Sequence, residues 1–463
     1  MTHPKSAGNE SKSDGFRAFR VPGFARFWFG SAAAILGQQM VAVAIGWELY
    51  ELTGSATVLG LVGFAQVLPV LILALWSGVI ADRFDRRLVV LIAQTLMATS
   101  TFALGAFSAR LISLPDHSLV RSMNHAIAWL VAELGETGAK IDDPRVSVYL
   151  LLLCCTGMAK VLNNPSRIAI LPRLVPGDVL TNAITWNSSA MHIAATMGPA
   201  LGALIVSAGG DSPSRYAAVY WTDACCALTM FSCFLTLPRG IGRPLRRQTG
   251  DGNTPAAAAG WLMGLRHVVQ DRVILAAISL DLFAVFFGGC TALLPIFARD
   301  ILQVDVIGYS WLRAAPSIGA LSMGLFLAYR PPRENVGRML ICSVIAFGFA
   351  TLGFGISRNF TISIVMLGLL GAFDNVSVVI RHNLVQIRTP DAFRGRVAAV
   401  NGLFIGSSNE LGALESGVTA ALWGPVGSVL FGGTATILVV LAIARIWPEL
   451  TRLATLDHSV EGG

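Results

Sequence analysis

Five carboxylic acids stand inside long apolar runs: Asp223, Asp281, Asp374, Glu410 and Glu415. Two cations share that setting, Lys160 and Arg313. A charge among hydrocarbon side chains is costly, so it pairs with an opposite charge, exchanges a proton, or faces a watery cavity. The chemistry within reach is therefore proton carriage and ion pairing. Glu48 and Glu51, near the end of the first apolar run, read as interfacial, and His192 reads as a packed polar residue. No nucleophile–base pairing, metal-ligand spacing or phosphate loop occurs, so the chain does not read as an enzyme and implies no cofactor. Its seven cysteines all fall in apolar runs and form no C-x-x-C pair, which suits small buried residues rather than disulfides or metal ligands.

The elements that position these charges follow from composition. The chain has 463 residues, 54% hydrophobic and only 13% charged, far from a soluble globular balance. Its formal charge of +7 comes without a basic helix face or aromatic-basic platform, so nucleic acid is not an expected partner. Twelve runs, at 24–50, 57–81, 88–110, 147–171, 180–208, 215–237, 273–298, 307–329, 338–357, 360–381, 397–421 and 425–447, are each long enough to cross a bilayer core of about 30 Å. Pro69, Pro199 and Pro316 fall inside spans and mark kinks. The fold class is all-α integral membrane. Residues 1–22 form a tail, 23–237 one six-helix half, 238–272 a linker rich in Gly, Pro and Arg, 273–447 a second half and 448–463 a second tail.

Between the second and third runs stands Gly78-Val79-Ile80-Ala81-Asp82-Arg83-Phe84-Asp85-Arg86-Arg87. So short and basic a turn between two membrane-length segments makes a helical hairpin with its turn in the cytoplasm. Gly78 admits close approach of another helix, and Asp82, Arg83, Arg86 and Arg87 sit at the two helix ends. With both termini cytoplasmic, the tails and loops on that side hold 25 of the 34 Lys and Arg. The opposite side holds seven: Arg110, Arg121, Lys140, Arg145, Arg215, Arg299 and Arg358. That asymmetry sets the orientation.

The halves also repeat. Arg167, Pro176, Asn187 and Gly198 recur 214 residues later as Arg381, Pro390, Asn401 and Gly412. Pro69 and Arg83 recur at the longer interval of 247 residues as Pro316 and Arg330, which implies an insertion in the first half. It lies at 111–147, outside the membrane, where Leu119, Met123, Ile127, Leu130 and Leu134 share one helical stripe opposite Arg121, His125 and Glu133. An amphipathic helix on the outer membrane surface is expected there, with a lid or docking element as the alternative. Carried back by 214 residues, Asp374 falls on Lys160, so equivalent spans carry opposite charges at one depth.

The spacing Gly-x-x-x-Asp-Arg-x-x-Arg-Arg from Gly78 to Arg87 resembles the loop between helices 2 and 3 of the major facilitator superfamily, with Asp85 where many members have Gly. Thr53-Gly54-Ser55, Asn164-Pro165-Ser166-Arg167, the run from Leu171 to Pro176, Leu312-Arg313-Ala314-Ala315-Pro316, Arg394-Gly395-Arg396-Val397 and Ser408-Asn409-Glu410-Leu411-Gly412 narrow the resemblance. They point to the drug and siderophore exporter branch that includes the enterobactin exporter. Gly198-Pro199-Ala200-Leu201-Gly202 resembles the fifth-helix motif of antiporters, with Ala194 in place of its first Gly and Ala203 of its last. The plain alternative for that run is helix packing through small residues.

The resemblance implies a secondary transporter of the bacterial cytoplasmic (inner) membrane, exporting a small amphipathic drug or siderophore by alternating access. Import or lipid flipping on the same fold, and a non-transporting sensor, are the alternatives. Expected partners are the substrate, protons and the lipid bilayer, with the chain acting as a monomer. In the family, helices 1, 4, 7 and 10 line the cavity, and walls rich in Phe, Trp and Met are expected. Five charges are expected to couple protons or line that cavity: Asp281, Lys160, Asp374, Arg313 and Glu410. Asp281, roughly 12 Å into its span, is the first coupling candidate, with a structural hydrogen-bonding role as its alternative. Asp82 is expected to tether the second helix to the eleventh, near Gly402 and Gly406. Lys160 and Asp374 are expected to form a latch that closes the cytoplasmic side, the alternative being local pairing of Asp374 with Asn375 or Arg381.

Overall fold

Backbone in hydrocarbon must satisfy its hydrogen bonds within its own segment, and this chain does so with helices. A computed structural model describes residues 15–112, 118–136, 138–141, 143–210, 212, 214–238, 240–242, 257–330 and 334–453. The side chains of 74–83, 257–262, 391–392, 394–396, 398–399 and 403 also lie outside the described set. The expectations for the side chains of Gly78, Asp82 and Arg83, and for parts of the tails, linker and insertion, therefore fall outside it.

The helices are α1 (Phe24–Thr53), α2 (Ala56–Arg83), α3 (Arg86–Ser108), α4 (Ser118–Glu133), α5 (Arg145–Leu174), α6 (Gly177–Ala208), α7 (Arg215–Leu235) and α8 (Ala257–Gln270). After them come α9 (Arg272–Phe287), α10 (Leu294–Ile296), α11 (Val306–Tyr329), α12 (Val336–Ile356), α13 (Phe360–Arg388), α14 (Asp391–Ile446) and α15 (Pro448–Thr451). Eleven helical stretches among the described residues are long and apolar enough to cross a membrane. The difference from twelve lies in α14, where the runs expected at 397–421 and 425–447 are joined. Gly424, at φ +75° and followed by Pro425, breaks the helical path without an intervening loop. The apolar stretch Val400–Ile446 has 47 residues, about 70 Å of helix and twice what one crossing needs.

Local signals set the helix ends. Asp85, the departure from the family loop, is the N-cap of α3 and accepts from the Arg87 N–H at 2.9 Å. Asp271 caps α9 through Val273 N–H at 2.9 Å, and Asp305 caps α11 through Gly308 N–H at 2.9 Å. Arg87 donates to the Phe234 carbonyl at 2.8 Å and to that of Leu235, placing a cation at the carbonyl end of α7. The linker is not all loop: α8 packs Val268 against Ile274 and Val397, and His267 stacks on Phe393.

The insertion forms α4, as its pattern predicts, but only part of the stripe is covered. Ile127 and Val131 are buried, whereas Leu119 is exposed. Glu136, just past α4, ties the insertion to the start of α2, accepting from Ala56 N–H at 2.9 Å, Thr57 N–H at 3.3 Å and the Ser55 hydroxyl.

Close helix approaches hold the two repeats together in matching ways. A Cβ on Gly198 of α6 would lie 2.4 Å from the Gln39 Cβ of α1, and one on Gly202 would lie 3.0 Å from the Met40 carbonyl. At the repeated position, a Cβ on Gly412 of α14 would lie 2.7 Å from the Phe286 carbonyl of α9. The side of the bundle where Phe24 packs with Leu174 and Leu237, and Leu450 with Val336 and Leu384, is here the terminal side. On the opposite, far side, one buried core mixes the halves, including Met40, Ile45 and Leu49 with Leu294, Phe297 and Tyr309. On the terminal side the core divides: Phe24, Ile170 and Phe234 in one cluster, Leu280, Leu340 and Ile380 in another. Among the described residues, the two halves share one core at the far side and form separate clusters at the terminal side.

Candidate functional site

Between the halves lies a cavity of about 320 Å³. Its walls come from α1 (Gln38, Gln39), α2 (Gln66), α5 (Lys160), α11 (Tyr309, Arg313) and α14 (Asn409, Glu410). The remaining wall is the broken stretch after α9, with Thr291, Ala292 and Pro295. There the helix gives way to a 3-10 turn at Cys290–Leu293 and a π-helical turn at Phe297–Ile301. Gly289 makes this break possible against α14, because a Cβ there would lie 2.5 Å from the Gly412 carbonyl. Irregular backbone at membrane depth is tolerated where protein or a cavity covers it.

Each charged wall residue is held by a specific packing contact. Gly157, nearly one turn before Lys160, presses α5 on α2: a Cβ there would lie 2.6 Å from the Gln66 carbonyl. Lys160 Nζ then donates to Gln66 Oε1. Glu410 sits over Gly63, whose Cβ would be 2.8 Å from the Glu410 carbonyl and 3.5 Å from its carboxylate. Arg313 follows Tyr309 by one turn, and the Tyr309 ring stacks on Trp47 with centroids 5.4 Å apart. Among the described residues, neither Lys160 nor Arg313 forms an ion pair. Glu410 lies within electrostatic reach of both.

Of the five charges expected to couple protons or line the cavity, the structure brings Lys160, Arg313 and Glu410 to this wall and places Asp281 and Asp374 away from it. Sequence reasoning missed Gln38, Gln39, Gln66 and Asn409, for which the available signal was amides inside apolar runs. The expectation of walls rich in Phe, Trp and Met is corrected: among the described residues that line the cavity, Tyr309 is the aromatic and none is Phe, Trp or Met. The large apolar rings are instead exposed on the outside of the bundle, as Phe102, Phe349 and Trp423 are, or cluster at the terminal side around Phe19, Trp28 and Trp186.

Asp281 and Asp374 lie elsewhere, around a small cavity of about 10 Å³ shared with Phe373 and Ser377, room for about one water. Asp281 is buried and pairs with Arg381 across α9 and α13. Among the described residues Asp374 forms no ion pair with Arg381, and it lines a different cavity from Lys160. In the first half the matching arginine, Arg167, donates instead to Asn187 at 3.3 Å.

Glu48 is also a correction. It is 3% exposed rather than interfacial, because α1 runs on to Thr53 and three helices converge on the carboxylate. Ser108 donates at 2.7 Å, Tyr149 at 2.9 Å and Tyr220 at 2.6 Å. Glu51 is exposed and pairs with Arg215 at 2.6 Å. At the far side, the Tyr50 hydroxyl donates to Asp300, bridging α1 to the π-helical turn of the second half.

Comparison with known proteins agrees with this architecture. A profile of the Major Facilitator Superfamily matches residues 27–333. The Staphyloferrin A transporter of Staphylococcus aureus is 22% identical over 439 residues, covering 94% of this chain and 99% of that protein. Multidrug efflux pump Tap of Mycolicibacterium fortuitum is 24% identical, covering 93% and 96%. Enterobactin exporter EntS of Escherichia coli is 23% identical, covering 94% and 93%. The inward-open xylose transporter XylE from E. coli shares the fold, with a TM-score of 0.65 at 12% identity, covering 90% of this chain and 94% of that one. Cavity, paired repeats and profile agree that this multi-pass membrane chain is a transporter of the major facilitator superfamily.

Proposed function

We propose that this protein exports a small organic molecule, a drug or siderophore, in exchange for protons entering the cell. The observation that carries the reading is the polar cavity at the seam of the halves, sealed at the far side and charged from both: Lys160 from one, Arg313 and Glu410 from the other. The names of its relatives, a staphyloferrin A transporter, a drug pump and an enterobactin exporter, favour export of such compounds. The charge bias of the loops makes the terminal side cytoplasmic, in a bacterial inner membrane. A monomer whose halves, 23–237 and 273–447, rock about the cavity alternates its access.

Asp281 is the coupling acid: its protonation frees Arg381, so one proton alters the contact between α9 and α13. The loop holding Gly78, Asp82, Arg83, Arg86 and Arg87 biases the two states, and Gly198, Pro199 and Gly202 keep α6 close behind the cavity wall of α1. Lys160 and Asp374 meet as a latch when the terminal side closes. Expression in a host stripped of its own exporters, tested against a panel of toxins and siderophores, checks the reading. Reduced accumulation of at least one compound, reversed by a protonophore, supports it. Protection of none, or increased accumulation, contradicts export.

A further inference from the structure

We propose that the substrate is an organic anion whose carboxylate is gripped by Lys160 of the first half and Arg313 of the second. This rests on the transport reading and adds the chemical class. The cavity lining carries two cations and one carboxylate, an excess of one positive charge at its surface, while Asp223 of α7, outside the lining, also lies within electrostatic reach of Lys160. Neither cation is neutralised by an ion pair among the described residues; Lys160 donates to the neutral Gln66 amide. Cations at that depth are expensive unless an anion meets them. Arginine presents a planar fork that matches a carboxylate, and lysine adds a point charge.

The rest of the wall fits the same ligand. Gln38, Gln39 and Asn409 supply amides for hydroxyls and further carboxyl oxygens. A lipophilic cation would want aromatic faces and an excess of carboxylate, and the lining offers Tyr309 and Glu410. Glu410, within electrostatic reach of both cations, is the internal anion that the substrate carboxylate displaces. Because the two cations belong to different halves, one bound carboxylate bridges them. An uncharged analogue would lose that bridge.

The test uses the purified full chain in nanodiscs and three probes: citrate, glucitol and tetraphenylphosphonium. Calorimetry should show saturable citrate binding and none of glucitol. Lys160→Gln and Arg313→Gln should each weaken citrate by about tenfold or more, while Lys160→Arg stays within about threefold of wild type. Glu410→Gln should tighten citrate, a gain that a misfolded variant cannot mimic. The proposal is overturned if citrate does not bind by about 10 mM, if tetraphenylphosphonium binds in its place, or if Glu410→Gln abolishes citrate binding. An exported cation in the toxin panel sinks the anion class and leaves transport standing. An empty panel alongside citrate binding lost in Lys160→Gln sinks export and leaves the anion site.

Discussion

Tyr50→Phe should loosen the far-side seal. The Tyr50 hydroxyl bridges the halves by donating to Asp300, and next to it Trp47 stacks on Tyr309. Tyr50 is buried at 7% exposure, whereas Asp300 is exposed, so water takes over the carboxylate once the hydroxyl is gone. The loss is therefore set near an ordinary hydrogen bond, about 1 kcal/mol, rather than the larger value for a buried charged acceptor. That is about a fivefold shift between far-closed and far-open states. A far-open population of about 4% would rise to about one fifth. Adding Trp47→Ala removes an aromatic contact of about 1 kcal/mol, and the two together shift the balance roughly thirtyfold if they act independently. Spin labels at Leu111 and Arg358, in a background with the seven native cysteines replaced, report the separation of the far-side ends. A longer-distance population should grow in the single variant and dominate more in the double. Unchanged distance distributions in both would refute the seal.

Gly198→Val and Gly412→Val should each destabilise by about 1–3 kcal/mol, because both force apart a backbone approach; thermal melts in detergent should show similar losses at the two repeat positions. Outside the spans, burial alone would raise the Asp143 carboxyl, but the Arg145 guanidinium and backbone N–H hold it below the usual range. Its stabilisation is present above its unfolded value and is lost as pH falls through the lower folded one, so Asp143→Asn should cost stability at neutral pH and nothing in strong acid. Melts across that window check the sign. Lys160→Asp and Asp374→Lys should each abolish transport, and the double swap should restore a measurable part. Three inactive but correctly inserted proteins would count against direct pairing.

Much of this was legible because hydrocarbon constrains sequence so strictly. The apolar runs had to be helices, the repeats at 214 residues had to pack alike, and Gly198 and Gly412 do. Charge inside the apolar runs marked Asp281, Lys160, Asp374, Arg313 and Glu410 alike, and could not say that Asp281 and Asp374 lie away from the wall that holds the other three. The amides Gln38, Gln39 and Gln66 carried no such mark, because whether they line a cavity depends on helix rotation, which a nearly uniform apolar run does not encode. Asp281 and Arg381 are 100 positions apart, and Glu48 draws on Ser108, Tyr149 and Tyr220 from three other helices. Partners so distant are assembled by tertiary packing. Composition misled on the cavity wall because it counts Phe, Trp and Met without saying which meet lipid.

The most direct test of proton-driven export is a pH-sensitive dye trapped in proteoliposomes that hold the purified chain under an imposed pH gradient. A compound identified by the toxin and siderophore panel, added to the side from which it is exported, should discharge the gradient in wild type. In Asp281→Asn the same compound should bind with little loss, yet leave the gradient standing. Substrate moving at full rate while the gradient holds in wild type would contradict proton coupling outright.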